Sequence, residues 1–457
     1  AHYLEVYAQQ ANWHEQVYWL LATWNEALSQ FCSSYDTQRE LVLIDSFDFL
    51  LNKPYAAVKF RNMYPERLSQ FSDLDLCTGK TTATQLHQYL RRHVLVSKVS
   101  VFKKSYMSML QVFCHDGTIL SFDLINQARR RHLQSLNVNA LILHAYTSPY
   151  GIRLLNPLDN ARYIGMFYIL NKARIPAQYR QYEEMLKLSE EKTDGWLYPY
   201  YVDETYPHHY LRNHVKRLPA NRGFAGLLNK CRYLTDTLRA MFLNQGMVVT
   251  FSGVDGAGKS TIITNLKHRI EKQLRRRVVV LRHRPSLLPI LSAWTKGKAS
   301  AEQEAATKLP RTGTNKSMLS SLLRFGYYYT DYLLGQFYVY IRYVLRGYVV
   351  IYDRYYFDFM NDSKRSNIVL PSFVAKSGFR LLLKPAYNFF LYAPAHVIRE
   401  RKQELSTETI NSLTSSYKSQ FEALNRGRRK SRYMSINNLS LTETLDKVFT
   451  HISKQAA

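Results

Sequence analysis

One stretch has residue types and spacing suited to phosphate chemistry: Gly253-Val254-Asp255-Gly256-Ala257-Gly258-Lys259-Ser260-Thr261. It satisfies G-x-x-x-x-G-K-[ST] and follows the apolar run Met247 to Ser252, a strand expected to be covered on both faces. The glycines let backbone N–H groups turn inward on phosphate oxygens, and a helix opening near Lys259 aims its positive end at them. Lys259 then reaches the β- and γ-phosphates, and the Ser260 hydroxyl holds Mg²⁺. Gly253, Asp255, Gly256, Ala257, Gly258, Lys259, Ser260 and Thr261 form the expected nucleotide-binding set. A second G-K-T, in Cys77-Thr78-Gly79-Lys80-Thr81-Thr82, has Leu74 where the first glycine belongs and no clear strand leading in. It reads as coincidence.

A second apolar strand, Tyr348 to Tyr352, runs into Asp353-Arg354-Tyr355. A carboxylate at the C-terminal end of a parallel strand lies where ligands bind in such sheets. Asp353 is placed to orient Mg²⁺ or its waters, and Arg354 to neutralise a phosphate. Together the loop and this triplet resemble the thymidylate kinase family of P-loop nucleoside-monophosphate kinases, over roughly residues 245–457.

That resemblance implies an ATP- and Mg²⁺-dependent phosphotransferase. It extends through Phe389 to Pro394 and a helix Ala395 to Glu404, which matches the family's mobile lid. Val254 to Ala257 contain no arginine, so the lid cations Arg399, Arg401 and Lys402 are expected to stabilise the transferred phosphate. Lys259, Asp353, Arg354, Arg399 and Arg401 form the expected catalytic set, with Ser260 and Asp353 as metal ligands.

The acceptor half departs from the family. Tyr332 stands where an arginine would follow Asp331, and Arg282-His283-Arg284-Pro285 replaces an acidic-Pro-Gly loop. Two arginines at a strand end still clamp a phosphate or carboxylate. The expected acceptor contacts are Asp255, Arg282, Arg284, Tyr328, Tyr332 and Asp358, with Asp362 to Arg365 adding charge nearby. The acceptor is expected to be an anionic nucleotide, sugar or glycan rather than thymidylate.

In the N-terminal half, Asp73 and Asp75 lie at i and i+2 and project to one face of a strand. Asp123 closes the strand Leu120 to Asp123. Three carboxylates converging from neighbouring strands would hold Mg²⁺ for a phosphoryl or nucleotidyl transfer. With Ala57 to Asn62 upstream, this is similar to the D-x-D element of the nucleotidyltransferase fold. The stretch Glu66 to Ser72, however, lacks the glycine pair normal there. Bacterial two-domain proteins join a nucleotidyltransferase-like half to a thymidylate-kinase-like half, and this chain resembles them over most of its length.

The elements that must carry these groups follow from pattern. Residues 1–50 show helical spacing at Val17, Leu20, Leu21, Trp24 and Leu28. Residues 51–150 carry short β-runs and a hairpin signal at Asp116-Gly117. Residues 151–240 turn helical, with Pro176 and Pro207 in loops, and 241–457 alternate strand and helix. The expected fold class is α/β: a parallel P-loop sheet flanked by helices, joined to an N-terminal α+β domain.

Composition narrows the setting. Of 457 residues 46% are hydrophobic and 21% charged, which excludes wholesale disorder. Lys and Arg exceed Asp and Glu by 62 to 35, so polyanionic partners are expected. Arg129 to Arg131, Arg275 to Arg277 and Arg426 to Lys430, with 35 tyrosines, leave single-stranded nucleic acid open as a partner. Peripheral membrane contact and a homodimer stay open as well. Cys32, Cys77, Cys114 and Cys231 form no CxxC pair, and no N-terminal segment reads as a signal peptide, so a cytoplasmic setting is expected. Leu322 to Leu345, interrupted by Arg324, Asp331 and Arg342, reads as a buried helix rather than a membrane span. Two rival functions remain: a nucleic-acid end-processing or defence protein, and a non-catalytic NTP-dependent switch.

Overall fold

The computed structural model describes residues 37–60, 68–69, 71–189, 197–203, 205–243, 245–285, 287–288, 317–369, 371–426 and 431–456. The helical spacing at Val17 to Leu28, the residues Arg61, Asn62, Glu66 and Arg67, and the basic Arg428 to Lys430 lie outside the described residues. The chain divides into two compact units, Ala1–Asp236 and Thr237–Ala457.

The first unit opens with α1 (Gln38–Leu50), β1 (Tyr55–Ala57), β2 (Leu74–Thr78), α2 (Lys80–Arg92), β3 (Val96–Lys103), β4 (Met107–Cys114) and β5 (Ile119–Ile125). A short ribbon follows, β6 (Ala128–Arg130) and β7 (Leu133–Leu136), then α3 (Val138–Leu143), β8 (Tyr146–Thr147), β9 (Arg153–Leu154) and α4 (Pro157–Leu170). The main sheet has the order β3-β4-β5-β2-β1-β9-β8. Val42 and Phe47 of α1 and Leu86 and Leu90 of α2 pack on Leu76 and Leu124. Side chains alternate across a strand, so Cys77 and Ile125 join a different cluster, with Val138 of α3 and Tyr163 of α4. The parallel pairing of β2 with β5 sets Asp75 opposite Asp123. Helices α5 (Glu183–Ser189), α6 (Tyr198–Val202) and α7 (His208–Arg217) surround a further core with Ile164, Leu197 and Leu211. Helix α8 (Gly223–Leu243) begins in this unit and runs past Asp236, after which the second unit starts.

The second G-K-T differs from expectation in one respect. A strand does lead in, since β2 ends at Thr78 and α2 starts at Lys80. Only Gly79 lies between them, with an ordinary φ of −70°, so the backbone has no room to wrap a phosphate.

The second unit contains β10 (Met247–Ser252), α9 (Lys259–Arg269), β11 (Val278–Arg282), α10 (Met318–Arg342), β12 (Val349–Asp353), α11 (Phe357–Asn361) and α12 (Ser372–Phe379). It continues with β13 (Tyr387–Tyr392), α13 (Ala395–Arg401), α14 (Thr407–Arg426), β14 (Arg432–Asn437) and α15 (Leu441–Ala456). Its five strands run in the order β11-β12-β10-β13-β14, and every pairing is parallel. The chain leaves β10 toward one edge and later crosses to the other, so the loop after β10 sits where the topology reverses. Ligands bind at such a point. Tyr352, Tyr356, Phe357, Phe390, Tyr417 and Phe421 build an aromatic core behind it.

The expected buried helix at Leu322 to Leu345 is half right. In α10 Phe325, Tyr332 and Val339 are buried, but Leu323, Phe337 and Ile341 are exposed by 69%, 58% and 61%. Its apolar residues simply occupy more of the helix circumference than one core contact covers. Among the described residues no helix is long and apolar enough to cross a membrane.

Candidate phosphate-binding site and acidic cluster

The loop between β10 and α9 is pressed against its surroundings at two glycines. Gly253 has φ +150°, and a Cβ there would lie 2.3 Å from the Leu391 carbonyl oxygen. Gly258 has φ +86°, and its Cβ would lie 2.3 Å from Asn438 Nδ2. That amide donates to the Ala257 carbonyl at 2.8 Å and fixes the loop from the far end of the chain. Asn438 carried no sequence signal, because its position in the fold depends on the whole β13–β14 pairing.

Lys259 Nζ, buried, donates to the carbonyls of Gly253 (2.8 Å) and Val254 (2.9 Å). Burial, and next the Arg354 cation, push its pKa down to about 7. A phosphate oxygen beside Nζ favours the charged form and raises that value, so nucleotide binding at pH 8 should take up a proton. Calorimetry in two buffers of different ionisation enthalpy reads this directly. Equal heats in both buffers would contradict it.

Asp353 ends β12 in register with Phe251 of β10. Its Oδ1 is buried and has no hydrogen-bond partner among the described residues, and neither has the buried Ser252 Oγ. A buried carboxylate oxygen without a partner, at the C-terminal edge of the sheet, fits a hard cation or its water. Ser260 is exposed on the first turn of α9.

Arg354 is placed as a clamp. It is buried, holds φ +74°, and bonds the Gly253 carbonyl (3.3 Å), Asp358 (3.2 Å) and Asp255. A non-glycine residue at such a φ is strained unless its surroundings over-determine it. Arg365 grips the other oxygen of Asp255. Burial works against ionisation of the Asp255 carboxyl, but Arg354, Lys259 and Arg365 outweigh it and hold its pKa well below the usual range. Asp255 and Arg365 thus tie the loop to the segment after β12, a link the sequence did not announce.

Two residues expected at the acceptor lie elsewhere. Asp358 is buried beneath Arg354, with its second oxygen accepting from Tyr417 Oη at 2.7 Å. Tyr332 is buried against Tyr355 and Tyr356, and its hydroxyl donates to the His283 carbonyl. Arg284 is engaged with the fully buried Asp331 (2.9 Å) and stacks on Tyr328 with its guanidinium carbon 5.0 Å from the ring centroid. Arg282 is exposed at the end of β11, in register with Asp353. His283, between the two arginines, has φ +63° and donates its backbone N–H to the Asp353 carbonyl at 3.0 Å. Burial pushes its ring pKa down to about 4, so it is neutral.

Helix α13 packs on the loop. The Ile398 carbonyl lies 3.1 Å from a Cβ built on Gly256, and Arg401 Nη1 lies 3.8 Å from one built on Gly258. Arg399, Arg401 and Lys402 are exposed, and Lys402 pairs with Glu404 at 3.0 Å.

Strand, glycine loop and helix make the second unit a P-loop α/β fold. No family model matches the sequence, and no curated protein matches it. Among solved structures the chain is similar to the thymidylate kinase of Ehrlichia chaffeensis, with 14% identity and a TM-score of 0.33, covering 46% of this chain and 99% of that one. It is also similar to the thymidylate kinase of Candida albicans, with 15% identity and a TM-score of 0.31, covering 46% and 92%.

In the first unit Asp73, Asp75 and Asp123 offer carboxylate oxygens that all lie within 4.8 Å of one another. Lys59, at φ +59°, pairs with Asp75 and lies 4.2 Å from the Phe167 ring centroid. Burial pushes the Asp75 carboxyl up to about 6 against the pull of Lys59, with Asp73 and Asp123 adding to the rise. Lys59 joins this cluster although its position upstream of the D-x-D carries no sequence signal for it. The basic run Arg129 to Arg131 is only partly solvated, since Arg129 is buried against Asp236 (3.5 Å) and Asn229 (3.2 Å).

Proposed function

We propose that the second unit transfers the γ-phosphoryl group of ATP to an anionic acceptor, a nucleotide, sugar or glycan other than thymidylate. One observation carries this reading: the glycine loop, Lys259 and the unpartnered Asp353 oxygen meet at the C-terminal edge of adjacent strands. The loop N–H groups and Lys259 orient and neutralise the phosphates, and Arg399 and Arg401 add charge from the helix packed on the loop. Ser260 and Asp353 are the residues that would hold Mg²⁺, which when bound neutralises phosphate charge. Arg282 is the exposed cation best suited to the acceptor. Catalysis is then mainly positioning and electrostatic stabilisation.

Transfer of label from γ-labelled ATP to nucleoside monophosphates, oligonucleotides and an envelope-glycan extract tests this. Label in the first or last pool supports it. Label in the oligonucleotides alone favours nucleic-acid end processing, and ATP binding with no labelled product favours the switch.

A second reading, supported by the acidic cluster, is that the first unit is nucleotidyltransferase-like and uses Asp73, Asp75 and Asp123 on a divalent cation. Mn²⁺ titration monitored by electron paramagnetic resonance should show a site that Asp123→Asn weakens about tenfold or more, the scale of losing one charged ligand. Unchanged binding in that variant sinks the reading.

A further inference from the structure

Helix α8 turns its polar side inward and its apolar side outward. It is anchored by Asn229, which accepts from Arg129 Nη1 (3.2 Å) and donates to the Ala220 carbonyl (3.0 Å). Asp236 adds a second anchor, accepting the Ser105 N–H at 2.9 Å and 3.0 Å. At 3.6 residues per turn, Phe224, Leu227, Leu234, Leu238 and Phe242 fall on the opposite side. They are exposed by 79%, 57%, 60%, 48% and 72%. Within this helix only Gly226 and Asn229 are buried. A contiguous apolar stripe of this length facing water marks an interaction surface.

The surrounding charge identifies the partner. Residues 208–243 contain seven Lys and Arg against a single acid, Asp236, which is already engaged. Lys230 borders one edge of the stripe, and Arg232 and Arg239 border the other. A second copy of α8 would bring like charges together with no acid to pair them, the opposite of what flanks a coiled-coil seam. A nucleic acid would meet the cations and could stack on Phe224 or Phe242, but would gain nothing from Leu227, Leu234 and Leu238 between them. The exposed stripe on α10 has only Arg324 and Arg342 for cations along its helix, so it lacks this complementarity.

We infer that α8 is an interfacial helix that seats the protein on an anionic lipid bilayer. The apolar stripe enters the headgroup–acyl boundary while the bordering cations pair with lipid phosphates. The helix lies on the surface and does not cross it.

Co-sedimentation of the full-length protein with two vesicle types tests this, one of phosphatidylcholine and one an equimolar mixture with phosphatidylglycerol. The protein should pellet with the anionic vesicles only and be released by salt, because the electrostatic part is screened. The double variant Leu227→Glu/Leu234→Glu, at two exposed positions, should lower the anionic partition coefficient by about tenfold or more. Independently, the emission that Leu227→Trp adds over the parent, which already carries five tryptophans, should shift to the blue on adding anionic vesicles. Absence of pelleting at low salt, equal pelleting with both lipids, or an unshifted Leu227→Trp spectrum overturns the inference. So does a concentration-dependent dimer in sedimentation velocity that Leu234→Glu dissolves, since the stripe would then be covered by a second copy.

Discussion

Lys259→Ala should lower the rate of phosphoryl transfer by about 10²–10³-fold, the usual cost of removing one preorganised charge from a phosphate site. The protein should fold as well as the parent, or somewhat better. Lys259 is buried with its pKa pushed down to about 7, so burying its charge costs stability at neutral pH. Parallel measurement of transfer rate and thermal midpoint separates the two effects. A rate within tenfold of the parent, with the midpoint unchanged, would remove Lys259 from the mechanism.

The second large effect is on stability. Arg354 links the Gly253 carbonyl, Asp255 and Asp358, and both Arg354 and Asp358 are buried. Arg354→Ala leaves a buried carboxylate without its cation, a change that costs about 3–5 kcal/mol. The pH dependence has a definite sign. In the parent, burial works to raise the Asp358 pKa, but Arg354 first, with the Tyr417 hydroxyl helping, outweighs it, so the value lies below normal. Its stabilising contribution is therefore full above the unfolded carboxyl pKa, about 4, and lost only as pH falls through the lower folded value. Without Arg354 the burial effect is left and the Asp358 pKa rises above the unfolded value. The variant's deficit is then largest at neutral pH and shrinks as Asp358 protonates. Denaturation midpoints of parent and variant should converge on acidification, and Asp358→Asn should recover part of the loss in Arg354→Ala. A gap that widens on acidification would contradict this account.

The phosphate loop was legible because its glycines, Lys259 and Ser260 lie within nine residues and the strand before them is uninterrupted. The convergence of Asp73, Asp75 and Asp123 followed from strand alternation plus one guessed pairing, which the β2–β5 register supplies. What escaped was set by distant chain. Asn438 reaches the loop from 181 residues away, and Arg365 reaches Asp255 from 110. Nothing local distinguishes such an asparagine or arginine from a surface one. Arg354 was expected to neutralise a phosphate, and sequence gives no hint that its guanidinium turns back beneath the loop. Tyr332 and Asp358 were misplaced for a related reason. The aromatic core behind the sheet is large enough to absorb residues that look like ligand contacts.

The grip of Arg354 and Arg365 on Asp255 has a thermodynamic corollary. Whatever shifts the segment from 354 to 365 also shifts the loop, and the reverse holds. Under the proposed function, with nucleotide at the loop and acceptor beside that segment, the two affinities are linked, and by reciprocity each ligand changes the other's dissociation constant by the same factor. Asp255→Asn would weaken the joint to neutral hydrogen bonds and the Arg354 bond to the Gly253 carbonyl, and should shrink that factor.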